Sequence, residues 1–375
     1  MKRIISFLLL LPGLYAPVMA QTKATLTVNN SSKLDRTNTV VQFSWSAITA
    51  RYPKIDTANF KVVNALTKKE VPFQLERRGA ADVQNLLVQL SVKAAGTVKL
   101  FIVPGKPLTA VKKTYGRYVP ERFDDFAWEN DKVAFRMYGK ALEGRKDNAF
   151  GTDVWVKRTS KLVINEWYKT GDYHTDHGDG MDYYSVGLTL GAGDIAPIVK
   201  DSIVFSKNYH YWKVLDNGPL RTTFELGYDA WDVAGKSVKV TKTISLDAGS
   251  HMNRVEVVYT YTGDVLPVAV GIVKRKEPGT ILMDELQGIV AYWEPQHGPD
   301  GTTGVATIVT GEPVKMGTDK AHLLTYTSAK NNEAVVYYNG SAWSKGNEIT
   351  NAKAWFNYLG NFKQQLEQPL KVSVQ

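Results

Sequence analysis

Residues 221–260 read RTTFELGYDAWDVAGKSVKVTKTISLDAGSHMNRVEVVYT. Apolar and polar residues alternate through RTTFELGYDAW, through KSVKVTKTISLD and again through NRVEVVYT, the period of strands with one buried face. A turn cluster, Asp247-Ala248-Gly249, separates the last two runs, as an antiparallel hairpin requires. Working outward, KVAFRMYG, DVWVKR, YSVGLTLGAG and SIVFSKNYHYWKVLDNG precede the stretch with a strand-like pattern. LPVAVGIVKR, GIVAYWEPQ, GVATIVT, AHLLTYTS and EAVVYYNG follow it. So many long strands predict a large two-sheet sandwich over residues 118–375. Residues 21–105 hold shorter strands, among them ATLTVNN, TVVQFSW and NLLVQLSV, sized for a small β-sandwich. PGKPLTAVKK (104–113) has two prolines and no periodicity, which places a linker at residues 106–117. One helix is expected, AKAWFNYLGNFKQQLE (352–367), with Trp355, Tyr358, Leu359 and Phe362 at helical spacing. The fold class is all-β.

The chain opens MKRIISFLLLLPGLYAPVMAQ: Lys2 and Arg3, an apolar run from Ile4 to Leu11, then Val18-Met19-Ala20. That is the pattern of a secretory signal peptide, residues 1–20, and the apolar run is too short to anchor in a bilayer. The expected address is the periplasm or the exterior. With no cysteine among 375 residues, lipid attachment, disulfides, thiol nucleophiles and thiolate metal sites are all excluded. The net charge is +9, and loss of Lys2 and Arg3 leaves +7. Such a balance suits nucleic acid, membranes or acidic substrates. No run of lysines or arginines and no basic amphipathic helix is present, and an exported protein rarely meets nucleic acid. An acidic oligosaccharide is the partner that fits; oligomeric state is not legible.

Three segments concentrate chemistry. YHTDHGDGMDYY (173–184) carries His174, His177, Asp182 and Tyr184; its glycines argue for a loop. It is neither a zincin motif nor an EF-hand loop, which leaves an active-site loop, a solvated turn or a divalent-metal site. NYHYWKVLDNGPLRTTFEL (208–226) sets His210 and Trp212 on one strand face, Tyr211 on the other, and Arg221 beyond a turn. YWEPQHGPDG (292–301) offers Trp293, Glu294 and His297, with Lys274 and Arg275 just before it. His251 and His322 read as structural.

Four segments together, RFDDFAWENDKVAFRMYGKAL (122–142), GTDVWVKR (151–158), YHTDHGDGMDYYSVGLTLGAG (173–193) and YWEPQHGPDG, resemble the domain-of-unknown-function family 4861. The resemblance spans roughly residues 25–370. It implies a galactose-mutarotase-like β-sandwich and a secreted protein encoded in polysaccharide-utilisation loci. It also implies an activity like that of an ulvan oligosaccharide dehydratase, a hydro-lyase that takes water from a non-reducing-end uronic acid to leave a 4,5-unsaturated uronyl end.

That chemistry sets requirements. Removing the C5 proton beside an ionised carboxylate needs a cation to quench the carboxylate, a base near neutral pKa and an acid for the departing C4 hydroxyl. From the sequence, His174 and His210 are the proton-transfer candidates, Tyr211 the acid and Arg221 the clamp, with Tyr184 and His297 as further catalytic candidates. His177, Asp182, Trp212, Arg275, Lys274, Trp293 and Glu294 would bind substrate. A polysaccharide lyase, a glycoside hydrolase and a non-catalytic glycan-binding protein are the alternatives.

Overall fold

The computed structural model describes residues 24–311 and 315–375; the signal-peptide reading lies outside the described residues. Two sandwiches are present, and the chain is all-β apart from three short-to-medium α-helices among the described residues. In the small sandwich, strands Ala24–Asn29, Thr97–Pro104 and Phe60–Asn64 face a three-stranded sheet of Arg36–Ser44, Asn85–Val92 and Phe73–Glu76. Alternation buries Leu26, Val28, Phe43, Leu86, Val88 and Leu100 between them. The fourth strand of the first sheet is Lys371–Val374, paired antiparallel with Ala24–Asn29 (Leu26 opposite Val374). The expectation that everything after residue 118 belongs to the large sandwich is therefore corrected. The last strand follows the longest helix among the described residues, which carries the chain back to the first sheet.

The opening stretch of sequence forms strands Arg221–Val233, Lys236–Asp247 and Met252–Thr260, neighbours in an eight-stranded antiparallel sheet. Phe224, Leu226, Tyr228, Val240, Ile244 and Val255 point into one large core. Two five-stranded sheets share that core. One is built on Asp125–Asn130, Ala134–Met137 and Asp153–Lys157, and Phe126 stacks on Phe224 across the layers at 4.1 Å. The other is built on Asp194–Val199, Val265–Val273 and His322–Lys330. The helix Ala352–Glu367 forms as expected; Asn351 caps it by accepting from Ala354 N–H. Its Trp355 and Leu359 close the outer face of the large sheet over Ala291, Ala306 and Ile308.

YSVGLTLGAG is not a strand. Thr189 Oγ1 donates to the Val186 carbonyl and accepts from Gly191 N–H, and Gly187 adopts φ +57°, so local hydrogen bonds win over pairing. Helices Trp45–Arg51 and Ile164–Thr170 escape sequence reading because two turns carry too little periodicity and too little intrinsic stability. The sandwiches are joined by directed hydrogen bonds. Asp216 accepts from the N–H groups of Arg77 and Arg78, and Gln74 Oε1 accepts from those of Leu220 and Arg221.

Candidate active site

The sheet containing Ala134–Met137 turns Phe135 and Met137 into the large core, so alternation sends Arg136 and Tyr138 to the opposite face. That face is covered by the helix Ile164–Thr170 and by Tyr173, whose rings pack on Trp155. Beneath this cover lies a network of charge. Arg136 sits opposite Asp153 in the ladder and bonds it through Nε at 2.8 Å. Its Nη2 reaches Asp182 at 3.1 Å, and its Nη1 lies 3.6 Å from Asp125. Three carboxyls thus surround one guanidinium, all of them buried.

One positive charge does not balance three negative ones in a medium of low polarisability. Burial pushes Asp125 up to about 7, with Arg136 and Arg122 pulling back. Burial and then the neighbouring Asp153 push Asp182 up to about 8. Asp153 is raised too, by burial against the pull of Arg136. At neutral pH this network holds protons that ordinary aspartates release. Asp125 Oδ1 and Arg136 Nη1 are buried without hydrogen-bond partners, an uncommon state for native polar atoms.

His174 stands at the edge of this network. Its Nδ1 is 2.8 Å from the Asp182 carbonyl, an acceptor only, so Nδ1 carries the proton and Nε2 is left as the base in the neutral ring. The side chain is 62% exposed and its ring lies 4.6 Å from that of Tyr173. The Tyr173 hydroxyl accepts from Arg122 Nε at 2.9 Å, leaving the phenol proton free to be donated. An imidazole, a phenol and a guanidinium therefore adjoin one another.

The same loop has a second neighbour. Tyr183 stacks on His297 with centroids 5.1 Å apart and hydrogen-bonds Thr303 at 2.6 Å. Buried Tyr184 lies under Arg275, 4.6 Å from its ring, and Arg275 bonds Glu294 at 2.9 Å and the Ser185 carbonyl at 2.7 Å. Burial raises the Glu294 carboxyl, against the pull of Arg275. Segments 173–185 and 292–303, separate in sequence, thus form one continuous wall. Arg158 fixes the loop by donating to the Gly178 carbonyl and to Asp176. At Gly180, φ is +127° and a Cβ would sit 2.0 Å from the Val156 carbonyl oxygen, so only glycine lets the loop pass this close.

Other sequence candidates lie elsewhere. Arg221 is not a clamp: it belongs to the junction between the sandwiches, bonded to Asp247 at 2.5 and 2.9 Å, to Glu76 at 3.1 Å and to Gln42 at 3.0 Å. His210 is held between Glu143 and Asp229 at 2.8 and 2.7 Å and shares no contact with His174. Tyr211 lies over Gly227, 61% exposed, and Trp212 stacks on Tyr118; neither meets the wall. Lys274 donates to the Asp319 carbonyl, exposed His177 pairs with Asp172, and Trp293 packs beside Gly304 and Trp355 on the helix side. Among the described residues no group of three or more His, Cys, Asp or Glu is arranged to hold a metal ion; Asp125, Asp153 and Asp182 converge on a guanidinium instead. Sequence reading missed Arg122, Asp125, Arg136, Asp153 and Tyr173. A signal was there: three successive strands, DFAWEN, AFRM and DVWVK, place Asp125 and Glu129, Arg136, and Asp153 and Lys157 in otherwise apolar runs that are buried throughout.

Residues 28–372 match the family described as Domain of unknown function, DUF4861. The chain belongs to the DUF4861 family. Among curated proteins, it is 32% identical over 372 residues to uncharacterized protein P7 of Formosa agariphila, covering 93% of each chain. Among solved structures, this DUF4861 chain is similar to a glycosyl hydrolase family 38 protein from Enterococcus faecalis. That likeness has a TM-score of 0.54 at 10% identity, over 95% of this chain and 48% of the other. An α-mannosidase from Enterococcus faecalis aligns at TM-score 0.48 and 10% identity, over 94% and 46%. The chain spans about half the length of these solved proteins, and the likeness is one of fold.

Proposed function

We propose that this protein is an exported carbohydrate-active enzyme that eliminates water from the non-reducing-end uronic acid of an acidic oligosaccharide, leaving a 4,5-unsaturated uronyl end. The observation that carries the reading is the meeting of His174, Tyr173 and Arg122 over a buried, proton-holding carboxyl network. Arg122 uses only Nε on Tyr173, so its two Nη groups are free for a bidentate grip on the sugar carboxylate. With that charge quenched, C5–H becomes acidic enough for His174 Nε2 to accept the proton. The electron pair moves into the C4–C5 bond as the C4–O bond breaks, and Tyr173 gives its proton to the departing hydroxyl, which leaves as water. Tyr173 then recovers a proton from His174, its ring neighbour, or from solvent. The resemblance of the four linked motifs to a dehydratase-containing family supports the same reaction.

Glycoside hydrolysis is the second reading, because it needs two carboxyls and this site holds three. Incubation with saturated, uronate-terminated oligosaccharides separates the two. Dehydration predicts new ultraviolet absorbance from a conjugated enoate and a product lighter by one water, with chain length unchanged. Two shorter fragments without the chromophore would overturn dehydration in favour of hydrolysis, and fragments with it would indicate a lyase.

A further inference from the structure

A second cavity opens behind the loop, on the far side of Arg158. It has a volume of about 130 Å³ and is lined by Lys132, Arg158, Ser160, His251, Asn347 and Glu348, over an apolar floor of Val133, Val156, Ala342 and Ile349. Nothing in the chemistry above uses it. Lys132 pairs with Glu348, yet the ammonium keeps two more protons and the carboxylate further lone pairs. Arg158 spends Nε and Nη2 on the loop and has Nη1 left over. The amide of Asn347 donates to the Arg158 carbonyl, which leaves its oxygen as an acceptor.

His251 supplies the independent observation. It is 7% exposed and its Nδ1 lies 2.9 Å from the Ser341 carbonyl, so Nδ1 donates. Its Nε2 is buried without a hydrogen-bond partner, 3.7 Å from Glu348. His251 and Lys132 hold the Glu348 carboxyl down to about 2, yet at 3.7 Å the imidazole and carboxylate make no direct hydrogen bond, which leaves each open to a bridging ligand or water.

The lining selects the ligand. Lys157 and Arg158 are answered by acids outside the lining, Glu129 and Asp176, so Lys132 stands against Asp131 and Glu348 and no positive charge is left over. Interleaved donors and acceptors with no excess of positive charge, above an apolar floor, match a polyol with C–H faces better than an anion. At about 130 Å³ the cavity is roughly ten times the minimum of about 10–15 Å³ that a single water requires, so it has room for a small ligand and not just one ordered solvent molecule. We propose that this cavity binds one neutral pyranose unit, with Lys132, Arg158, His251, Asn347 and Glu348 as its hydrogen-bonding partners. The site rests on the carbohydrate reading above only for its class of ligand. Because Arg158 also holds Asp176 and Gly178, an occupied cavity would brace the loop that carries His174.

The test is binding, so it needs no turnover. Titrate the full exported chain with neutral hexoses and 6-deoxyhexoses, and separately with inorganic sulfate, by calorimetry. At the affinity per atom usual for small ligands, a dozen heavy atoms bind in roughly the millimolar range. Ser160→Trp, at an exposed rim position, should fill the mouth and weaken hexose binding at least about tenfold, and Lys132→Met should weaken it by a similar factor through a lost charged hydrogen bond. Both variants should keep wild-type melting and wild-type turnover of the shortest uronate substrate. Sulfate binding in place of hexose binding, or hexose binding indifferent to both substitutions, would overturn the proposal. Loss of dehydratase activity with hexose binding intact would instead sink only the reaction proposed above.

Discussion

Two arginines, Arg136 buried and Arg221 partly buried, show how differently a protein uses the same group. Arg221, at the junction of the sandwiches, has every nitrogen engaged: Asp247, Glu76 and Gln42 accept from it. Burial opposes its charge, but Asp247 and Glu76 outweigh that and raise its pKa. Arg136 is surrounded by more acid than it can satisfy, and orphaned polar atoms remain on both sides of the Asp125 contact. A balanced network fixes geometry and has little left to give. An unbalanced one holds labile protons, and it is the unbalanced one that lies beside an exposed histidine.

The contrast can be broken in order of effect. The largest change should come from His174→Ala, which removes the proposed base above the acidic network. We expect a loss of about 10²–10⁴-fold in kcat with unaltered folding, read from initial rates of enoate absorbance alongside circular dichroism. Retention of full activity would detach the network from catalysis. Next is Arg221→Ala, which strands buried Glu76 beside Asp247. It should cost roughly 3–5 kcal/mol of stability in urea unfolding, while the folded fraction keeps its kcat.

Smaller, and opposite in sign to ordinary acid denaturation, is a pH effect. Folded Asp125 and Asp182, raised to about 7 and about 8, retain protons that the unfolded chain releases near pH 4. Their contribution to stability is present in full below that pH and is lost as pH rises through the folded values. Asp182→Asn should therefore gain on wild type between pH 5 and pH 8, and parallel unfolding free energies at the two pH values would refute this. The least effect belongs to Tyr211→Ala, which touches neither network: stability should stay within about 0.5 kcal/mol, and KM should not move.

The large sandwich was readable because strands such as Lys236–Asp247 and Met252–Thr260 alternate buried and more exposed residues, and Ala352–Glu367 because four aromatic and aliphatic residues recur on one helix face. The loop 173–185 was readable as a site because it gathers histidines, acids and glycines within a few residues. Partnership was not readable. Arg221 looks like a free cation in sequence; that Glu76, from the other sandwich, lies 3.1 Å away is a fact of tertiary packing between positions 145 apart in the chain. Arg136 hides for the complementary reason. A single charge inside an apolar strand reads as a solvent-facing position until the helix Ile164–Thr170 is seen to cover that face.

The pairing of Leu26 with Val374 has a bearing on how the chain is made. The opening strand leaves the ribosome long before the segment that flanks it, and in the interval its backbone groups are a ready template for a neighbouring molecule. Lys371–Val374 then seals that border with a short segment whose own rim bears a lysine. A protein cut back before residue 369 would keep its large sandwich and be prone to clump through its small one.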